Sequence, residues 1–281
     1  MKRKKIITDK LFSTLTYIIL ISLAAVTMTP ILWGLSTSLK QTGEVNSFPP
    51  TVIPKVIDFS NYAKVLFKSN FKTYFFNSIK VTALCVIIST FIASHAAYVI
   101  SRFNIKYKEM LMFGILMTSM VPTVALLIPL YILSVKVGIY NTTLLLVLVY
   151  TAWRTPVLTW ILKGFFDGSP VAIEEAALID GCSRARIFYQ IMIPISQPAI
   201  VSSALLSSVY VWNDFLVSFT FTTKEELRML SIGLYGYVTQ YGVQWGELMS
   251  AVMISIIPII LLFVLLQRRF VDGMAAGAVK G

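Results

Sequence analysis

Five long stretches without a charged side chain decide what this chain can fold into. Each contains 20 residues or more, and they lie at residues 11–39, 81–101, 110–135, 187–213 and 248–267. A helix of about 20 apolar residues crosses the roughly 30 Å hydrocarbon layer of a bilayer. Charged residues make up only 13% of the chain, against about 25% in soluble domains. The pattern therefore predicts a polytopic membrane protein and excludes one large soluble domain.

A sixth apolar stretch is interrupted only by Arg154 and Pro156. We therefore predict an all-α integral membrane fold with six transmembrane helices, in a single transmembrane domain over residues 11–281 that follows a basic segment at residues 1–10. The predicted spans are 12–36, 77–100, 110–133, 143–163, 199–221 and 248–267. Several spans contain or adjoin a proline, which bends helices. Bent spans are more typical of a transporter or channel than of a simple anchor.

The net charge of +11 is a topology signal rather than a sign of nucleic-acid binding. The basic residues gather at the ends of the apolar stretches, without the aromatic interleaving of a nucleic-acid surface. With both termini in the cytoplasm, 14 of the 24 Lys and Arg residues lie inside, nine lie outside and Arg154 lies in the membrane. The positive-inside rule thus predicts a cytoplasmic N-terminus and C-terminus.

A polar segment between the fourth and fifth predicted spans carries helix start and stop signals. Ser169 can cap a helix whose first position is Pro170, where the missing N–H costs nothing. Gly181 stands where that helix would end in the left-handed conformation. Ser183 can cap a second short helix, and Pro194 begins the lead into the fifth span.

The first of these helices is amphipathic by its residue pattern. Residues 171–180 place apolar and acidic side chains on different sides of a 3.6-residue helix. The predicted apolar face holds Ala172, Ile173, Ala176 and Ile179, and the other side holds Glu174, Glu175 and Leu178. Small residues at 176 and 177 would let another protein approach closely.

This segment resembles the EAA loop of ATP-binding-cassette importer permeases. The chain reads Glu175-Ala176-Ala177, then Gly181 after three residues, Ile191 after nine more, and Ile193-Pro194. The family usually has leucine where Ile193 stands, a departure that keeps shape and polarity. We call residues 167–194 the EAA loop. An amphipathic helix lying on the membrane would not require the glycine and proline at these distances.

Three further stretches are similar to the carbohydrate-uptake permeases of this family, of the type of the maltose transporter's smaller membrane subunit. In chain order they are Phe165-Phe166, Trp212-Asn213-Asp214-Phe215 and Gly277-Ala278-Val279-Lys280-Gly281. The segment from residue 40 to residue 80 adds nothing to the resemblance.

The resemblance implies a type I importer permease fold in a bacterial cytoplasmic membrane. It also implies four classes of partner: a second permease, two cytoplasmic ATPase subunits, an external solute-binding protein and a sugar substrate. The residues it assigns to ATPase coupling are Glu174, Glu175, Ala176, Ala177, Gly181, Ile191 and Pro194. The tail residues Val279 and Lys280 would reach toward the ATPase subunits, or would simply be disordered.

The chain is not expected to be an enzyme. It has no Gly-x4-Gly-Lys-Ser/Thr phosphate loop, so ATP and Mg²⁺ are expected on the partner ATPase and no cofactor or metal on this chain. Glu175 is expected at the ATPase contact; the alternative is that it only favours the helix dipole, an effect of under about 1 kcal/mol.

Charged and polar residues inside the spans are candidates for the substrate path, because ionisable groups in a membrane are costly unless they are paired or face water. The candidates are Arg154, Trp212, Asn213 and Asp214. An ion pair between Arg154 and Asp214 is the structural alternative. For His95 and for the methionine run at residues 110–120 we expect a packing role.

Two other functions remain open from the sequence. The same machinery could import a polyamine, a peptide or a phosphoester. An ion-coupled secondary carrier is the alternative of another class, but it predicts several buried carboxylates and inverted repeats, whereas this chain has one membrane acid and no repeat.

Overall fold

The computed structural model describes the backbone of residues 2–278 and the side chains of residues 12–267. Over this range the chain is largely helical, with one small hairpin. The α-helices are α1 (Lys2–Ser38), α2 (Thr42–Val45), α3 (Ser60–Phe67), α4 (Phe71–Arg102), α5 (Lys108–Met120), α6 (Thr123–Val137), α7 (Thr143–Gly168), α8 (Val171–Ile179), α9 (Arg184–Ile187), α10 (Ile193–Ile195), α11 (Gln197–Asn213), α12 (Leu216–Phe221), α13 (Leu230–Tyr235) and α14 (Trp245–Ala278).

Three shorter elements complete the described chain. A π-helix at Phe188–Met192 joins α9 to α10, and a 3-10 helix lies at Glu225–Leu227. The strands β1 (Val238–Thr239) and β2 (Gly242–Val243) form an antiparallel hairpin.

Four helices of the described chain are long and apolar enough to cross a membrane. They are Phe12–Ser38 within α1, α4, α7 and Trp245–Gln267 within α14, with mean hydropathies between 1.5 and 2.8. Two further pairs of helices pass the same test only when each is taken as one bent span. The chain therefore has four to six candidate spans.

The predicted third span is broken rather than continuous. Helices α5 and α6 meet at an angle of 87°. The break lies at Val121, which is extended with a ψ of 124°, and at Pro122, which stands before the first residue of α6. A proline disfavours the helical conformation of the residue before it. The prolines at 30, 129, 156 and 258 instead lie inside continuous helices.

The predicted fifth span is also divided. Helix α11 ends at Asn213, and α12 begins only at Leu216. At its other end, α11 is bent by 73° from the helical segment Arg184–Ile195. Asp214 therefore lies at the end of α11 and not within a continuous span.

The chain forms two compact units, of which the first comprises Met1–Ser69 and Gly236–Ile254. Its organising side chain is Asn61, which is buried and donates hydrogen bonds to the carbonyls of Ser38 and Lys40. Ser250 donates to the same carbonyl of Ser38 at 3.2 Å. The segment after residue 40, which has no sequence signal, is thus held by hydrogen bonds to the end of α1.

The second unit comprises Asn70–Tyr235 and Ser255–Gly281. Here α4 lies along α7, and α11 packs against both. One buried cluster occupies the part of this bundle around Cys85, Leu146, Tyr150, Val211 and Phe221. A second cluster joins the other ends of α4 and α7 to the segment after α7, and its members are Ala93, Ala97, Tyr98, Leu158, Leu162, Phe166, Ala177, Ile187, Phe188, Met192 and Ala199.

The start of α4 is fixed to the chain around residue 225. Asn70 and Tyr74 both donate to Glu225 Oε1, at 2.7 and 3.0 Å. These hydrogen bonds, with that of Asn70 the stronger, lower the pKa of Glu225 below the ordinary value of a glutamate. Asn77 donates to the carbonyls of Glu226 and Arg228.

Two expectations about packing have different outcomes. His95 contacts the carbonyl of Phe91 through Nδ1 at 2.7 Å and the Tyr189 hydroxyl through Nε2 at 2.8 Å, which fits a packing role. The methionine run was expected to pack, but Met112 is its one buried member. The rest of the run is exposed because α5 buries a single side, toward α7.

We predict that Gly233→Ala destabilises the second unit. A methyl group at Gly233 would overlap the ring of Tyr74, and forcing an extra carbon into a packed site costs about 1–3 kcal/mol. The thermal unfolding midpoint of the detergent-solubilised protein should therefore fall. Gly164→Ala, where the added carbon meets open space, is the matched control and should leave the midpoint unchanged or raise it. Equal midpoints for the two variants would contradict the close approach of Gly233 and Tyr74.

Candidate functional site

The EAA loop begins differently from the prediction at its first residues. The Ser169 hydroxyl donates to the carbonyl of Phe165 at 3.1 Å, so it closes α7 and does not cap the next helix. Pro170 stands one position before α8 rather than at its first residue. The prediction of a serine cap here is wrong because the preceding helix offers Ser169 a carbonyl four residues back.

The turn after α8 follows the prediction. Gly181 has a φ of +78°, in the left-handed region. Its N–H donates to the carbonyl of Leu178 at 3.0 Å, and the N–H of Cys182 donates to that of Ala177 at 2.9 Å. This pair of hydrogen bonds is the Schellman motif, which ends a helix at a residue without a Cβ. The end of α8 is therefore fixed by its own backbone.

The second half of the EAA loop consists of several short helical segments. Ser183 caps α9 by accepting the N–H of Arg186 at 3.3 Å, as predicted. The second short helix, α9, ends at Ile187 and continues as the π-helix. Ile191 is half-buried against the second cluster, and Pro194 lies exposed in α10.

Helix α8 buries the side that carries Glu174 and leaves its apolar face exposed. Its buried residues are Glu174 and Ala177, with Leu178 half-buried. The four residues of the predicted apolar face are all exposed, and Ile179 is 87% exposed. Glu175 is exposed as well.

This orientation of α8 has an electrostatic cause. The Glu174 side chain is 1% exposed and accepts a hydrogen bond from the Tyr98 hydroxyl at 2.8 Å. Its other oxygen pairs with Nε of Arg102, which is 6% exposed. Arg102 also donates through Nη2 to the carbonyl of Ser169 at 3.0 Å. A charge-assisted network of this kind can hold a carboxylate inside a protein, and α8 turns Glu174 inward to make it.

A smaller polar group lies beside this network. Ser101 donates to Asp167 at 2.6 Å, and Lys163 pairs with the other oxygen of Asp167 at 2.6 Å. The Lys163 and Asp167 side chains are 17% and 37% exposed, so this pair contributes little stability.

In the sequence, Arg102 contributed only to the prediction of membrane orientation, and Tyr98 carried no prediction. The spacing of these two residues could have indicated a shared contact, since residues four apart in a helix lie on one face.

The four candidates for the substrate path do not converge. Arg154 Nε donates to Ser207 at 3.2 Å, and its guanidinium lies 4.5 Å from the ring centre of Tyr210. Asp214 accepts instead from the Tyr150 hydroxyl at 2.7 Å and from the N–H of Val217 at 2.9 Å. The ion pair between Arg154 and Asp214, which was the structural alternative, is therefore not formed, because neutral groups satisfy each charge separately.

The other two candidates have local partners. Trp212 is buried and packs edge-to-face against Phe75 at 5.8 Å. Asn213 is exposed and donates to the carbonyl of Val209. Val279 and Lys280 lie outside the described residues.

Comparison with known proteins identifies the family of this chain. Residues 86–276 match the model described as "Binding-protein-dependent transport system inner membrane component". The chain belongs to this family. The matched range includes α7, α8 and the whole EAA loop, and the family's description places its members in the membrane.

Relatives and a solved structure agree over nearly the whole chain. The sulfoquinovosyl glycerol transport system permease protein SmoH of Agrobacterium fabrum is 32% identical over 90% of this chain and 88% of its own. The trehalose/maltose transport system permease protein MalG of Thermococcus litoralis is 33% identical over 93% and 94%. A chain from a bacterial ABC transporter that imports the acidic polysaccharide alginate shares the fold, with a TM-score of 0.81 at 22% identity over 94% and 98%.

We predict that Tyr150→Phe destabilises the bundle. It removes the hydroxyl hydrogen bond to Asp214 Oδ1 and leaves this half-buried carboxylate oxygen with the N–H of Val217 as its donor, at a cost of about 1–3 kcal/mol. Tyr210→Phe is the matched control, since it keeps the ring beside Arg154 and its hydroxyl bonds to no described residue. Thermal unfolding in detergent checks both, and a midpoint for Tyr150→Phe as high as that of the control would contradict the assignment.

Proposed function

We propose that this chain is the permease subunit of an ATP-driven sugar importer. In this proposal residues 11–281 form one permease domain with six spans, each bent helix pair counting as one, and translocation proceeds by alternating access. The family membership supports a binding-protein-dependent transport role. The names of the relatives, which refer to trehalose, maltose and a sulfoquinovosyl glycoside, support a sugar as the solute.

The exposed side of α8 is the observation that carries the coupling role. A nine-residue helix with its acidic anchor inside presents Val171, Ile173, Ile179, Glu175 and Ala176 outward. Clustered apolar side chains on an exposed surface are typical of a protein interface. A cytoplasmic ATPase subunit that docks here would contact a helix of fixed orientation.

In the proposed complex, each partner protein supplies a function that this chain lacks. ATP and Mg²⁺ would be held by two ATPase subunits, because the sequence contains no phosphate loop. A solute-binding protein would deliver the sugar from outside, and a second permease would complete the pathway. The basic residues at the ends of the spans support cytoplasmic termini, and from that side Val279 and Lys280 could reach the ATPase subunits.

Arg154 is the best supported candidate for the substrate path. Its guanidinium is only half-buried, and among the described residues it has no acidic partner. A charge of this kind within a span faces water or a polar ligand. Tyr210 beside it adds an aromatic face, which sugars favour. Asn213 is exposed and can join this path, whereas Asp214 and Trp212 would act through the packing around it.

We expect Gly181→Val and Glu175→Gln to leave insertion in the membrane intact and to lower the amount of sugar imported per ATP hydrolysed. An L-residue in the left-handed conformation costs about 1–2 kcal/mol, which corresponds to a 5- to 30-fold change in a two-state equilibrium. Uptake and ATP hydrolysis are measured together on the complete complex in liposomes. Gly164→Val, in open space on α7, is the control. Full coupling with valine at 181 would overturn the role of α8.

The solute class is tested with the purified complex and a panel of binding proteins, each loaded with a different solute. We expect stimulation of ATP hydrolysis by at least one sugar and by no polyamine or peptide. Arg154→Gln should change the order of sugars in this panel without changing the thermal unfolding midpoint. Stimulation by another solute class alone would reject the sugar assignment and leave the transport mechanism standing.

A further inference from the structure

Glu174 is the one acidic residue that is buried in the described part of the chain, and it belongs to the EAA loop. Both of its side-chain partners come from the last two turns of α4, a helix that ends about 70 residues earlier in the sequence. Tyr98 and Arg102 are four residues apart and therefore lie on one face of α4. The contact is thus made by a preformed pair of donors on one helix.

Arg102 has two separate attachments to the segment after α7. Through Nε it holds the Glu174 carboxylate on the first turn of α8, and through Nη2 it holds the carbonyl of Ser169, which lies in the joint between α7 and α8. A planar guanidinium fixes the direction of such contacts as well as their length. One side chain therefore restricts both the position of α8 and its rotation about the joint.

Stability alone does not account for a buried ion pair here. Removing two charges from water costs about as much as their attraction returns, and apolar replacements of similar volume are often as stable. What the pair provides is a defined geometry. The neighbouring ion pair of Lys163 and Asp167, which is partly exposed, connects residues of α7 only and cannot set the position of α8.

We propose that Arg102 and Glu174 are positioning residues that fasten α8 to the end of α4, so that a displacement of α8 moves α4 with it. This proposal rests on the proposed function, in which the exposed side of α8 is the ATPase contact. It separates two adjacent acids by role. Glu175, about 100° further round the helix, meets the ATPase subunit, whereas Glu174 holds the helix in place and does not touch the partner.

The test uses the full complex of permease, partner permease and ATPase subunits with a loaded binding protein in liposomes. The variants are Glu174→Gln, Arg102→Gln and the double variant that carries both. Lys163→Gln is the control for loss of an ion pair in the same region, and Glu175→Gln is the control for the ATPase contact. Three quantities are measured: copurification of the ATPase subunits, the thermal unfolding midpoint, and sugar imported per ATP hydrolysed.

We expect the ATPase subunits to remain bound to Glu174→Gln while the sugar imported per ATP falls at least about fivefold. Arg102→Gln leaves a buried carboxylate unpaired and should lower the unfolding midpoint most. The double variant should recover much of the unfolding midpoint but should keep the low ratio of sugar imported per ATP hydrolysed. If the pair had a purely structural role, this ratio would recover together with the stability. Lys163→Gln should behave like the wild type.

Two outcomes would overturn the proposal. A wild-type ratio in the double variant would mean that the pair does not position α8. Loss of ATPase subunits from Glu174→Gln to the same extent as from Glu175→Gln would place Glu174 in the interface itself. If instead Glu175→Gln and Gly181→Val both keep full coupling, the proposed function of α8 fails, whatever Glu174 does.

Discussion

The burial of the Glu174 carboxylate is the interaction on which the arrangement of the EAA loop depends. Tyr98 and Arg102 hold it from the side of α4, and this contact decides which side of α8 faces the protein. With Glu174 held inside, Val171, Ile173 and Ile179 are left exposed, while Ala177 is buried on the same side as Glu174. The exposed surface of α8 is therefore a consequence of a charge pair and not of a hydrophobic pattern.

Structural features that depend on residues close together in the chain could be predicted from the sequence. Gly181 and Ser183 set a helix end and a helix start through hydrogen bonds within five residues, and both features are present in the structure. The long apolar stretches likewise predict helices, because apolar length is itself the physical requirement for a span. The family resemblance through the EAA loop is confirmed by the match over residues 86–276.

Features that depend on distant partners could not be predicted. An isolated amphipathic helix would expose Glu174, and only the donors on α4, far away in sequence, reverse that preference. Charge alone offered Arg154 as one alternative partner for Asp214, but a tyrosine hydroxyl and a backbone N–H satisfy it. The break at Val121 is an intermediate case, since the effect of Pro122 on its neighbour is local, whereas the 87° angle depends on what each helix packs against.

In the second unit, polar contacts join α7 to α11 and to Asp214, the residue that follows α11, and they offer a route by which a displacement of α8 reaches the spans. The Tyr150 hydroxyl of α7 donates to Asp214. One turn later in α7, Arg154 contacts Tyr210, which lies one turn before Asp214 in the chain. The two helices are thus tied in an antiparallel register by neutral partners, which need not separate charges in order to move. Helix α4 lies along α7 over much of its length. If α8 carries α4, as we propose, α7 and α11 are the next elements in contact, and the half-buried side chain of Arg154 contacts α11 from α7.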